Sequence, residues 1–457
     1  MKLSYSFGTQ SECDQIHETS LSLLEKTGVI IASEAARNLL IHHGARCDGS
    51  TVFIPPNLIE KALEFAPSSF TLQTPRHRTT IGNGKLCHLP SYGAIYVSKN
   101  GNVTTGTRHD FVNFSKLNHE NKSLALSCPY TIEPADIPID IRENYKLATS
   151  LKYSDKPTYS MTQNGATSQK SIAFTRRFFG IEDAYILIGN INISAPLLMS
   201  KGTADTILVH ATENQPLMIA CGSGLSGLTA PPTPAANILL SNTAILAGIT
   251  LAQLASPGLP VIYGFPLFAV NSRNATISCG SPITALFTMA GAAMGKYYHL
   301  PVRSGGVFTD AKTLDYQSGL ESSLNLFSCL FSEVDLMMHT FGMENSLNTL
   351  NYNKYILDQA LLDYMNRYLK GFDINPVTLM ANEIERVGPD GNYIGVRNLR
   401  LIRKQYPIWP FDGLNESDIL QKTQTLITMH LDAYVKPDYD NEQYAMLKQL
   451  LPAEFLD

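Results

Sequence analysis

The side chains best suited to chemistry sit in one run, Arg303-Ser-Gly-Gly-Val-Phe308-Thr-Asp310-Ala-Lys312-Thr-Leu-Asp315-Tyr-Gln317-Ser-Gly-Leu-Glu321. A guanidinium such as that of Arg303 pairs bidentately with a carboxylate, from the protein or from a substrate. A ring such as Phe308 offers its face to a cation. Asp310 is a candidate general base, and so is His339 further along. The approach to this run is as telling as the run itself. Residues 214 to 309 contain no Asp and no Glu, and their only Lys or Arg residues are Arg273, Lys296 and Arg303. Such a neutral stretch reads as buried scaffold, because unpaired charge is costly to bury. Charge that returns beside Gly305-Gly306 marks a site. The plainer use of Asp310, Asp315 and Glu321 is to favour the first turns of a following helix.

Other motifs carry less. Gly222-Ser-Gly224-Leu-Ser-Gly227 matches the G-x-G-x-x-G dinucleotide fingerprint. Pro231, Pro232 and Pro234 nevertheless stand where its helix should begin, and no acidic residue follows before Asp310. A glycine-rich loop over a binding mouth is the better reading. The eleven His and seven Cys show no metal-ligand spacing, and the scattered, odd-numbered Cys read as reduced thiols. No bound metal or nucleotide is expected.

Charged residues are 16% of the 457-residue chain, hydrophobic residues 44%, and the net charge is −5. That suits a large globular enzyme, and no basic stripe points to nucleic acid. The most apolar window, 242–270, is interrupted by Gln253, Pro257, Gly258, Pro260, Gly264 and Pro266, so no membrane role is expected. The N-terminus has no apolar signal region, and a cytoplasmic location is expected.

These residues need elements to bring them together. Residues 1–120 read as an α+β cap, with a helix from Ser11 to Lys26 closed by Gly28 and a hairpin over 94–104 turning at Asn100-Gly101. From 121 to 411 short apolar runs alternate with longer helical segments. The strands are expected at 124–129, 158–162, 185–193, 216–221, 260–265, 301–307 and 334–341. Helices are expected at 168–179, 203–212, 235–254, 282–299, 316–332 and 353–370. Such β/α alternation predicts a parallel sheet, and seven or eight units predict a (β/α)8 TIM-type barrel. The eighth strand is sought in 378–387 or 399–402. Residues 412–457 read as a helical tail packed on the barrel. Barrel sites lie at the C-terminal ends of the strands. That rule converges Asn192, Phe265, Arg303, the Gly305–Asp310 turn and His339.

Longer motifs carry a resemblance. Gly227-Leu-Thr-Ala-Pro-Pro-Thr-Pro-Ala-Ala-Asn237, Asn242 through Gln253, Pro260-Val-Ile-Tyr263-Gly264, Gly280-Ser-Pro282 and Asp310-Ala-Lys312 with Asp315-x-Gln317-x-Gly319-x-Glu321 occur in order. Phe53-Ile54-Pro55 and Lys61-Ala-Leu-x-x-Ala66-Pro67 precede them. Over about residues 10 to 430 the chain resembles the trimethylamine methyltransferase family. The resemblance implies a barrel enzyme that moves a methyl group from a methylated amine to the cobalt of a partner corrinoid protein. The founding members carry pyrrolysine two residues before Asp-Ala-Lys, where this chain has Phe308. That departure implies the non-pyrrolysine branch, which acts on quaternary amines such as glycine betaine, proline betaine or carnitine. The corrinoid would come with the partner, and a homo-oligomer is a candidate state.

The chemistry agrees with that branch. A quaternary nitrogen is already positive, so a neutral amine leaves and no proton need be donated. The protein's task is then orientation and desolvation. A cation without N–H suits aromatic faces, for which Tyr92 (in Tyr92-Gly93), Phe265 and Phe308 are candidates. Arg303 is the candidate carboxylate partner, with His339 and Asn192 as further hydrogen-bonding candidates. Gly305, Gly306, Lys312, Gln317 and Glu321 are expected to shape the loop, and Asp310 to stand near the ammonium. The rival from another class is a non-catalytic betaine receptor on the same fold. A cofactor-free lyase or isomerase would need Asp310 or His339 as its base.

Overall fold

The computed structural model describes residues 7–455, apart from 83, 223, 225, 395–401, 403–405 and 407. At its centre lie seven parallel strands: β1 (Cys87–His88), β2 (Thr158–Tyr159), β3 (Leu187–Ile193), β4 (Leu217–Cys221), β5 (Val261–Phe265), β6 (Val302–Ser304) and β7 (Leu336–Met337). Their spatial order is β1-β7-β6-β5-β4-β3-β2, with every pairing parallel. Residues 124–128 fill the remaining gap between β1 and β2. Ala125 N donates to His88 O at 2.9 Å, and Ser127 N donates to Pro157 O at 2.8 Å. The sheet therefore curls round as eight staves, the expected barrel.

The strand that the sequence left unplaced is β1, which precedes the others and lies within residues 1–120. It is two residues long and carries no readable periodicity. Of the two segments where an eighth strand was expected, 378–387 forms parts of the short helices Pro376–Leu379 and Ala381–Val387. In the other, residues 399–401 lie outside the described residues.

Strand alternation divides the side chains between two cores. Ile188, Met218, Ile262 and Leu336 point inward and share one cluster with Tyr159 and Met338. Ile191, Ile219, Tyr263 and Phe265 point outward into another, built with the surrounding helices. At the N-terminal end of the barrel the hairpin Phe70–Gln73 with Arg78–Ile81 inserts Phe70, Leu72 and Ile81 into the inner core. That leaves the C-terminal end as the mouth.

The stretch without Asp or Glu supplies β4, β5, β6 and the helices Pro234–Ala255 and Pro282–Tyr297. Helix Pro234–Ala255 is long and apolar enough to cross a membrane by length and composition, but 78% of its most apolar window is buried inside the protein. Its polar groups are satisfied there. Asn242 Nδ2 donates to Ser20 Oγ and Tyr298 Oη, each at 2.9 Å, and Gln253 Nε2 donates to Leu259 O at 2.7 Å. It is the spine on which the N-terminal helices Gln10–Lys26 and Pro56–Phe65 pack. The first of these helices starts at a Thr9 cap rather than at Ser11. The Thr9-x-x-Glu12 spacing lets each side chain reach the other's backbone N–H, a reciprocal capping box.

Candidate functional site

Arg303 lies on β6, and parallel pairing sets it level with Gly264 of β5 and Leu336 of β7. The same register continues through Ala220 to Asn192. This level of the barrel thus runs Asn192, Ala220, Gly264, Arg303, with the two smallest side chains beside the largest. Arg303 is 5% exposed. Among the described residues no carboxylate lies within salt-bridge distance of it. Among the described residues its Nη2 meets only the Met338 sulfur, at 3.0 Å, and its Nε has no partner. Burial lowers its pKa to about 10, so it remains a cation at neutral pH.

Its neighbours are aromatic and neutral. The phenols of Tyr159 and Tyr92 are its largest electrostatic companions. Burial holds both phenols above their ordinary pKa, hence protonated. Tyr92 follows β1 at the mouth and packs on Tyr130 with centroids 4.9 Å apart and on Tyr159 at 6.1 Å. Asn190, one inward position below Asn192, hydrogen-bonds the Tyr92 side chain. Tyr159 Oη and Asn190 Oδ1 are buried without partners, like Arg303 Nε. Buried polar atoms are nearly always satisfied. Three such orphans line one barrel interior, Tyr159 Oη, Asn190 Oδ1 and Arg303 Nε.

His339 follows β7 and is 5% exposed. Burial, and then the nearby charge of Arg303, push its pKa down to about 3, so it is neutral. The Tyr92 backbone N–H donates to His339 Nδ1 at 3.3 Å. Nδ1 is thus the acceptor, and the ring proton sits on Nε2, available as a donor. The Phe308 ring stands edge-on to this imidazole at 6.1 Å and to Phe268 at 5.6 Å. Phe308 is held there by the Gly305-Gly306 turn. A Cβ on Gly305 would lie 2.2 Å from Cys329 Sγ, and one on Gly306 would lie 2.4 Å from Met338 O. Gly305 also has φ +65°, so no other residue suits the turn.

The acidic residues of the run build the loop instead of facing Arg303. Asp310 accepts from Ser278 Oγ (2.6 Å), Cys279 N (2.8 Å), Gly280 N (3.1 Å) and Ser346 Oγ (2.7 Å). Four donors saturate the carboxylate and tie three loops together, which leaves no lone pair suited to a base or an ammonium. Glu321 accepts from Thr309 Oγ1 (2.6 Å), Asp310 N (2.8 Å) and Gln317 Nε2 (2.8 Å). Asp315 caps helix Tyr316–Ser332 through Ser318 N at 3.0 Å. Lys312 is exposed.

Of the residues singled out in the sequence, Tyr92, Arg303, Phe308 and His339 come together, and Asn192 is exposed at the rim of the same interior. Phe265 does not join them. It points outward, stacked parallel to Tyr263 at 5.9 Å and against Gly291 of helix Pro282–Tyr297. Its neighbour Gly264 is the inward residue, since β5 alternates and Ile262 faces in. Sequence reasoning missed Tyr130, Tyr159, Asn190 and Phe268. The Asn190-x-Asn192 spacing was the one available signal, because two polar residues two apart share a strand face.

Comparison with known proteins identifies the fold and the family. The hydroxylamine complex of MtmB, at 10% identity, superposes with a TM-score of 0.50 over 99% of this chain and 86% of that one, a likeness of fold. Glycine betaine methyltransferase of Desulfitobacterium hafniense (strain Y51) is 30% identical, over 98% of this chain and 96% of that protein. Proline betaine:corrinoid methyltransferase of Eubacterium limosum is 31% identical over 97% and 96%. L-carnitine:corrinoid methyltransferase of the same organism is 28% identical over 98% and 97%. The family model for trimethylamine methyltransferase (MTTB) matches residues 4–400. The barrel, the glycine turn ahead of Asp310-Ala-Lys312 and this match over most of the sequence lead to one assignment: the chain belongs to the trimethylamine methyltransferase (MTTB) family.

Proposed function

We propose that this protein transfers a methyl group from a carboxylated quaternary amine, a betaine, to the corrinoid of a partner protein. The three relatives named above act on betaines or carnitine, each of which joins a quaternary ammonium to a carboxylate. The observation that carries the reading is Arg303, a buried guanidinium with no carboxylate within reach among the described residues and an unpaired Nε. A lone buried charge is expensive to maintain. A substrate carboxylate would repay that cost, with the Nε2–H of His339 as a second donor.

The ammonium end then lies among rings. Tyr92 packs on Tyr130 and Tyr159 beside Arg303, and Phe308 packs on His339. Their faces suit a cation that has no N–H to donate, an attraction of about 2 kcal/mol or more when desolvated. The partner's corrinoid would supply the nucleophile for the methyl carbon, and the C-terminal end of the barrel is the face left to it. The chain anchors the carboxylate at Arg303, aims one N-methyl outward and excludes water. The amine leaves neutral, so no protein group must hand it a proton. Phe308, two residues before Asp310-Ala-Lys312, suits that chemistry, because a phenyl ring can neither bond to nor protonate an amine.

The test is spectroscopic. With reduced corrinoid partner, wild-type enzyme and a panel of quaternary amines, Co(I) absorbance should be lost with carboxylated members and persist with carboxylate-free ones. Arg303→Ala should cut kcat/KM for the carboxylated substrates by about 100-fold, the scale of a lost charged pair. Near-normal turnover in that variant would refute the carboxylate clamp. Tight betaine binding without methyl transfer would favour a receptor.

A further inference from the structure

Helix Tyr352–Lys370 lies outside the barrel, and its first turn is capped by Asn351, whose side chain accepts from Asn353 N and Lys354 N. From that first turn to the next runs an ion pair that is almost wholly enclosed. Lys354 Nζ lies 2.8 Å from both oxygens of Asp358, with side chains only 2% and 4% exposed. Each partner makes one further bond, and both go to backbone atoms of the site loops. Lys354 Nζ donates to Val307 O at 3.4 Å, immediately before Phe308. Asp358 Oδ2 accepts from Gly342 N at 2.7 Å, three residues after His339. The two loops also touch directly, Val307 N donating to His339 O at 3.0 Å.

Stability alone does not explain such a pair. The same i,i+4 spacing on an exposed helix face is worth about 0.3–0.5 kcal/mol. Burial adds a desolvation penalty that often cancels the attraction, so an apolar pair of similar volume does as well or better. What an apolar pair cannot do is bond a carbonyl on one loop and an N–H on another. Both contacts flank the Phe308 and His339 rings, which are 6.1 Å apart. Glu344, the other buried carboxylate in this region, is occupied by Asn351 Nδ2 at 2.9 Å and bonds neither loop contact.

We propose that Lys354 and Asp358 are positioning residues for methyl transfer, a clamp that sets the Phe308 ring against the His339 imidazole by holding the carbonyl of Val307 and the amide of Gly342. This rests on the reading that those two rings face the substrate. The pair touches no reacting atom. Its effect runs through the loops, so its loss should loosen them and misplace the substrate without unfolding the barrel.

The experiment compares full-length wild type with the double variant K354M/D358L, in which two apolar side chains fill the space. Melting is expected to stay near the wild-type value, as apolar replacements of buried ion pairs commonly do. Backbone amides of 305–310 and 339–344 should exchange hydrogen about ten-fold faster or more, with the rest of the barrel unchanged. kcat/KM for methyl transfer to the corrinoid partner should fall by about ten-fold or more, the scale of a slight misplacement of reacting groups. Either exchange or kcat/KM within two-fold of wild type overturns the proposal. Faster loop exchange, with a wild type that transfers methyl from none of the quaternary amines, faults the substrate reading and upholds the clamp. If the double variant does not fold, Asp358→Asn replaces it. Its amide oxygen still accepts from Gly342 N while Lys354 loses its counter-charge, so beyond the overall loss of stability that a stranded Lys354 brings, the extra quickening of exchange should fall in 305–310. Wild-type exchange there overturns the proposal.

Discussion

Two cations are buried in this molecule under opposite terms. Lys354 has a carboxylate at 2.8 Å, on its own helix. Arg303 has a methionine sulfur, two protonated phenols and a neutral imidazole about it, and its Nε is unpaired. Burial of charge is tolerated where a partner is fixed, and the fixed pair is used for building. Where none is fixed, as at Arg303, the proposed partner is the substrate's carboxylate. The contrast separates framework from pocket more sharply than exposure does, since both residues are nearly inaccessible.

Four measurements would break or sharpen that contrast. The largest effect is expected from Asp358→Leu alone, which strands the Lys354 charge and should cost about 3–5 kcal/mol of stability. A melting temperature equal to that of wild type would dissolve the distinction. Arg303→Met removes the other cation while keeping its stem. Because no protein carboxylate is orphaned, stability should hold within about 1 kcal/mol, while methyl transfer from betaines falls by about 100-fold. A marked loss of stability would mean that Arg303 belongs to the framework.

Phe308→Leu should lower kcat/KM by about ten- to thirty-fold, the loss of one ring face from a desolvated cation. Wild-type kinetics would remove Phe308 from the pocket. Phe265→Leu should cost about 1 kcal/mol of stability and leave kinetics unchanged, because its ring serves the outer core.

The pH dependence follows from His339. Its folded pKa of about 3 lies below the ordinary value of 6.5, so the ring is neutral throughout the working range. kcat/KM should show no His339 limb between about pH 5 and 8, and His339→Gln should leave the shape of the profile intact. As pH falls from 6.5 toward 3, the unfolded chain takes up a proton at this site that the folded chain refuses. The site therefore withdraws stability progressively through that window, and returns it as pH rises. A limb that disappears in His339→Gln would show that the ring titrates in the folded enzyme.

The barrel was legible because parallel strands buried on both faces read as short apolar runs between longer helices. β1 was not, since two residues, Cys87 and His88, make no pattern. Arg303 stood out as a cation entering a strand after a long neutral stretch. Phe265 misled for a related reason. Strand phase decides which residues face in, and only the pairing of Gly264 with Arg303 fixes it. Tyr159 and Asn190 were hidden by the same ambiguity. The Asp310–Glu321 motif was visible, but its role was not, because saturation of a carboxylate by four donors depends on loops far apart in sequence.

The central claim is that the guanidinium of Arg303 waits for a substrate carboxylate. The most direct test is calorimetric binding of glycine betaine and of choline, which shares its trimethylammonium head, to wild type and to Arg303→Met. The account predicts a preference for the betaine in wild type of about 100-fold, which collapses to within a few-fold in the variant. A preference that survives the loss of the charge, or that never existed, would contradict it.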